Sequence, residues 1–336
     1  MAILPKTERK YIDIKKVFKI RNQRMHREAW WYWYWLFVFK DPKNPKRPKQ
    51  LMILWSSKNE KEIECNGVKF RMKNPLRGNK LNGAVASWYY DGEKMHENFM
   101  LEQCDLIFTK NSISSKSSKP SRFVMKGNCG EISVGDEFKF KVKMNSCYKP
   151  IMDTITISDR RKYTVVDAFR FETKCKVCGE PMEGSGFFEC MFCSTPIPSW
   201  YWGLFHFDDG SVLNYFEPYL FSMPIRKNIS FFDCNGTHTF DNMRIKSDGK
   251  KLPSFTLSGS NKNDEISFRV KTYSRATWKF KKKHEGIKGI IPNRLTYNEY
   301  PAIITKFSLK SKGKTRTLSE LGKSVGNAEH TEGFLF

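Results

Sequence analysis

The chain has 336 residues, 39% of them hydrophobic and 15% aromatic, enough for two domains of ordinary size, each with its own core. Aromatics pack well on pleated surfaces, so wide β surfaces are expected and a helical bundle is disfavoured. The formal charge of +24 raises nucleic acid or an anionic membrane as partners, but lysine outnumbers arginine more than two to one and is spread along the chain, which reads as a solvated surface and disfavours nucleic acid.

The opening MAILPKTERKYIDIKK carries no apolar core of signal-peptide length. No segment reaches the roughly 18 uninterrupted apolar residues of a membrane-spanning helix, so a cytoplasmic protein is expected, with a peripheral membrane contact left open. Residues 29–39, AWWYWYWLFVF, precede a proline-rich polar stretch and then LMILWSS at 51–57. Proline excludes a helix between the two runs, which predicts a hairpin. On a strand, Trp31, Trp33 and Trp35 share one face and Trp30, Tyr32 and Tyr34 the other, so both faces need covering.

Farther along, turn pairs such as Asp91-Gly92, Gly135-Asp136 and Asn235-Gly236 separate alternating runs such as EFKFKVKM at 137–144 and EISFRVK at 265–271. Residues 110–121, KNSISSKSSKPS, read as a flexible loop, and helix is confined to a short piece near 318–321. In the second half, WYWGLFHFDD at 200–209 turns at Gly210 and returns as SVLNYFEPYL, matching WYWLFVFKD at 33–41 with one gap. An internal duplication follows, with barrels expected over 1–170 and 171–336.

The segment Glu28-Ala29-Trp30-Trp31-Tyr32 resembles the E-W-W-Y opening of the carotenoid hydratase and AttH-like family. The series Trp200-Tyr201-Trp202, Asp208-Asp209-Gly210 and Tyr215-Phe216-Glu217 is similar to that family's W-x-W, D-G and Y-x-acid motifs, and residues 297–301 and 326–331 look like its strand ends. The resemblance implies an all-β fold of two lipocalin-like antiparallel barrels side by side. It also implies acid-initiated hydration, isomerisation or cyclisation of an apolar polyene, as in the related tocopherol and decalin-forming cyclases. Glu217 and Tyr215 then match the family's acid and tyrosine. Two positions apart, they share one strand face. Protonating an alkene creates a carbocation, which calls for a buried acid and aromatic faces. Trp31, Trp33, Trp200 and Trp202 are the expected lining, with His206 facing the same space. The family's His-rich stretch before W-x-W has no counterpart, since residues 186–193 keep only the acid Glu189, which favours cyclisation or binding over hydration.

Cys175-x2-Cys178 and Cys190-x2-Cys193 have the spacing of a structural zinc site, with packed cysteines as the alternative. Four thiolates would leave no open position on the metal, so zinc there would be structural and no cofactor is required for chemistry. The histidines show no paired metal-binding spacing, and no phosphate-cradling glycine loop is present. The expected partner is a hydrophobic small molecule of isoprenoid type. The alternatives are a carrier or sensor that performs no chemistry, and a zinc-containing module for nucleic acid or an anionic membrane.

Overall fold

The computed structural model describes residues 6–19, 29–158, 161–220, 222–282 and 293–335. His26, Glu28 and His284 lie outside them. The described residues are 69% strand and 3% helix, the all-β fold expected from the aromatic and alternating runs.

The aromatic strand Trp30–Phe39 forms the predicted hairpin with Gln50–Lys58, placing Trp33 opposite Trp55. Its other edge pairs with Glu180–Cys193, which also pairs with Arg161–Val177 and so closes an antiparallel barrel of ten strands. Closure removes exposed sheet edges. Inward residues from around this barrel fill it, with Phe37 stacked on Phe140 at 4.0 Å and Trp35 packed on Phe123, Phe171 and Phe188.

The second sheet repeats the plan. Ser199–Phe207 lies between Val212–Leu220, which follows it, and Ser324–Phe334, the last strand of the chain. In the first barrel, Trp30–Phe39 likewise lies between the strand that follows it and the last strand of its own sheet. The second sheet wraps around a core that includes Phe205, Tyr215, Phe231, Phe255 and Phe268. The 170/171 boundary drawn from sequence falls within Arg161–Val177, and the chain passes between sheets after Cys193.

A third core occupies the seam between the sheets, with Tyr34, Leu36, Met52 and Trp88 from one side and Trp202, Leu204, Phe232 and Trp278 from the other. The halves are further joined by a strand exchange, in which Ile63–Cys65 of the first half pairs with Ala276–Lys281 of the second sheet. A disulfide, Cys147–Cys234, ties a loop of one half to a turn of the other. One local reading changes. The stretch 110–121 contains the strand Ser112–Lys116, because Ser115 and Ser121 bond each other at 2.7 Å and Ser121 accepts from the buried Trp55 indole. The expected helix is present as Leu318–Leu321, its start fixed by a capping box of Thr317 and Glu320.

Candidate functional site

Arg294–Ser311 and Ser324–Phe334 are adjacent antiparallel strands whose register sets Glu299 directly opposite Glu329. Alternation points Leu295, Tyr297 and Glu299 toward the seam, and Tyr300 and Ala302 into the second core. Both acids are buried. The Trp88 indole, from the first barrel, donates to Glu299 Oε2. Trp200 Nε1 donates to Glu329 Oε2 at 2.9 Å and the Tyr297 hydroxyl to Glu329 Oε1 at 2.7 Å. Burial raises Glu299 to about 7, and pushes Glu329 well above the usual carboxylate range, with the charge of Glu299 adding to it. Like charges directly opposite on neighbouring strands repel, so holding a proton is how such a pair stays buried.

A second acid pair faces the seam from the first barrel. Asp167 lies opposite Glu189 on Arg161–Val177 and Glu180–Cys193. The Tyr32 hydroxyl donates to Glu189. Burial raises both acids, and for Asp167 the neighbouring Glu189 charge raises it further. The field of Glu189 reaches Glu329, so the two pairs form one electrostatic unit. Between them stands the buried Tyr34; burial first, then the charges of Glu299, Glu329 and Glu189, raise its hydroxyl well above the ordinary tyrosine value, against the smaller lowering effect of Asn327. Half-buried Trp30, Tyr32, Tyr163, Trp200 and Tyr297 form the rim of the seam.

Of the residues expected from sequence, Glu189, Trp200 and Trp202 lie at this seam. His206 lies farther along it, where Nδ1 meets Ser185 Oγ at 2.6 Å and Nε2 meets the Phe169 carbonyl at 2.7 Å. Burial, with help from the Arg170 charge, lowers it to about 3, so it is a neutral tether between the sheets rather than a partner of the acids.

The structure does not bring the remaining expected residues to the seam. Trp31 and Trp33 point into the first barrel, where Trp33 Nε1 donates to the Val17 carbonyl at 3.0 Å. Alternation presents Trp30, Tyr32 and Tyr34 to the seam instead. Tyr215 and Glu217 point the other way, into the second core, where the Tyr215 ring lies over Gly203. Glu217 is buried and raised by desolvation, and its Oε2 and the Tyr215 hydroxyl have no partner among the described residues.

The cysteines are also separated. Cys175 lies opposite Met182 near the turn of its hairpin, while Cys190 lies opposite Val166. Eight residues of extended strand separate Met182 from Cys190, roughly 27 Å. The four thiols therefore do not fit one tetrahedral zinc, and no cluster of metal-binding side chains occurs among the described residues. The cue that was missed lay in the segments 297–301 and 326–331, where Tyr297, Glu299 and Glu329 occur in sequence without any sign of their register.

Chemically, the seam offers carboxyls whose burial favours the protonated form, beside aromatic faces. A depression of about 320 Å³ lined by Arg244, Ser258, Ser267, Ser308 and Lys310 is polar and lies on the outside of the second sheet, away from this unit.

No family model matches the chain, and no curated protein matches it in sequence. Among solved structures, a candidate AttH protein from Nitrosomonas europaea has the same fold, with a TM-score of 0.50 at 10% identity over 97% of this chain and 98% of that one. Kievitone hydratase from Nectria haematococca aligns with a TM-score of 0.38 at 11% identity, covering 92% of this chain and 90% of that one. The first comparison extends the lipocalin-like, AttH-type architecture to the whole chain at the level of fold.

Proposed function

We propose that this protein is an acid–base enzyme that protonates a carbon–carbon double bond of an isoprenoid or other apolar polyene bound at the seam, leading to hydration, isomerisation or ring closure. The observation that carries this reading is the buried opposition of Glu299 and Glu329, held by Trp88, Trp200 and Tyr297 from both sheets. Burial and the opposing charge of Glu299 raise Glu329, which favours the proton-holding form that a general acid needs.

In the proposed step, the Glu329 O–H bond breaks as a C–H bond forms on the alkene, leaving a carbocation over the faces of Trp200 and Tyr297. Addition of water, with its surplus proton returned to the Glu329 carboxylate, completes a hydration. Loss of a neighbouring C–H proton to the same carboxylate completes an isomerisation. Attack by a second double bond closes a ring and moves the cation, which then gives up a neighbouring C–H proton to the carboxylate, so each route restores the acid. Tyr297, donating to Glu329, would hold that carboxylate once the proton has left.

A second reading places the donor at Glu217 in the second core, favoured by its unpartnered oxygen on the same strand face as the Tyr215 hydroxyl, which also has no partner among the described residues. The two are separated by turnover of candidate polyenes. Under the seam reading, Glu329→Gln abolishes product formation while ligand binding persists and Glu217→Gln keeps most of the rate; the reverse pattern would move the chemistry to the second core. Ligand binding with no turnover in any variant or in the wild type would leave a carrier.

A further inference from the structure

Exposed apolar side chains that stand together are more informative than scattered ones, and the described residues hold one such close pair. Met223 is 66% and Ile225 63% exposed, and both lie on the short hairpin that returns from Val212–Leu220. The exposure is not fraying. Leu220 pairs with Met223 and Tyr219 with Pro224, the Ile225 N–H donates to the Pro218 carbonyl at 2.8 Å, and Ser222 takes a left-handed turn conformation at φ 67°.

Arg226, exposed, and Lys227, half-buried, follow immediately. The charge of Arg226 reaches Tyr163, which belongs to the first barrel and flanks the Asp167–Glu189 pair, while that of Lys227 reaches Glu217. Pro218, which accepts from Ile225, lies directly opposite Trp200 on the neighbouring strand, so the hairpin stands beside the Trp200 end of the seam, presenting two apolar side chains with two cations behind them.

We propose that Met223, Ile225, Arg226 and Lys227 form a docking element for an anionic lipid bilayer. The apolar pair enters the headgroup–acyl boundary, and the cations meet lipid phosphates. Adjacent apolar and basic side chains are what an interfacial anchor requires, since the charged heads stay in the headgroup layer while the apolar groups pass below it. The net charge of +24 adds long-range attraction of the same sign. Single-stranded nucleic acid is the poorer fit, because its binders stack successive bases on aromatic platforms, and the exposed apolar side chains among the described residues of this hairpin are Met and Ile. Docked this way, the rim of the seam faces the lipid that would dissolve an apolar substrate; that consequence rests on the function proposed above, whereas the docking itself does not.

The test is co-sedimentation of the full chain with phosphatidylcholine vesicles, with and without about one-third phosphatidylglycerol. Binding to the anionic vesicles only is expected. Met223→Ser/Ile225→Ser should weaken it about tenfold or more, and Arg226→Ser/Lys227→Ser about fivefold per charge. In Met223→Trp, brominated acyl chains should quench fluorescence beyond the wild-type level. Absence of vesicle binding by the wild type would overturn the proposal. So would wild-type affinity in both double variants, which would assign binding to dispersed lysines, or retention of a single-stranded oligonucleotide by a protein that ignores vesicles. Vesicle binding requires no turnover, so its failure is distinguishable from failure of the acid-pair reading.

Discussion

Glu299 and Glu329 occupy directly opposite positions on neighbouring antiparallel strands of the second sheet, and the indole that binds the first comes from the barrel of the other half. The pair thus reports on the assembly of the two halves as well as on chemistry.

Its titration predicts a pH dependence of stability. Glu299 is raised in the folded protein from 4.5 to about 7, so between those values the folded state holds a proton that the unfolded chain has released. Stability from this group is complete below about 4.5 and is lost as pH rises through about 7, with a total on the order of 3 kcal/mol. Glu299→Gln keeps an acceptor for Trp88 and removes the titration. Urea unfolding from pH 4.5 to 8 should therefore show a smaller decline in the variant than in the wild type. Parallel curves would mean that Glu299 is ionised in the fold.

His206 predicts the opposite slope. Its folded value is lowered from 6.5 to about 3, so its contribution is present above about 6.5 and is lost as pH falls toward 3. His206→Phe strands the Ser185 hydroxyl and the Phe169 carbonyl, costing about 2–4 kcal/mol at pH 8. The deficit should shrink on acidification, because the wild type alone carries the imidazole penalty. Chemical unfolding at pH 8, 6 and 5 measures this, and a constant deficit would contradict it.

These two residues mark where sequence reading succeeds and where it stops. Alternation on Trp30–Phe39, its hairpin, and the short helix at Leu318–Leu321 are local patterns, and all are legible. The face of each aromatic strand that meets the seam is a tertiary fact. Trp200 and Trp202 face it, but on Trp30–Phe39 the same side is occupied by Trp30, Tyr32 and Tyr34, which splits the expected tryptophan wall between compartments. The opposition of Glu299 to Glu329 depends on the register of two strands 30 positions apart, which no spacing rule encodes. The Cys147–Cys234 link was equally hidden, since the two cysteines are 87 residues apart and neither belongs to a C-x2-C pair.

That disulfide closes a long loop between the halves, so its loss releases chain entropy in the unfolded state. Cys147→Ser/Cys234→Ser should lower stability by about 2–4 kcal/mol under non-reducing conditions. Dithiothreitol should bring the wild type down to the same level and leave the variant unchanged. Equal midpoints for oxidised wild type and variant would show that the two sulfurs are not bonded in solution.

Gly203 interrupts the second aromatic strand because the phenol ring of Tyr215, opposite it across the hairpin, occupies the space where a Cβ would stand. Tyr215 is fully buried, and neighbours such as Phe268, whose ring lies 6.0 Å away, limit its retreat. Gly203→Ala should therefore cost about 1–3 kcal/mol by overpacking, although alanine suits a strand better than glycine does. Tyr215→Leu opens that space at a cost of its own. In the double variant the added methyl enters the vacated volume, so the two penalties should combine to less than their sum by about 1 kcal/mol. Strict additivity in denaturant titrations would mean that the ring yields freely, and that the second core is looser around Tyr215 and Glu217 than its packing implies.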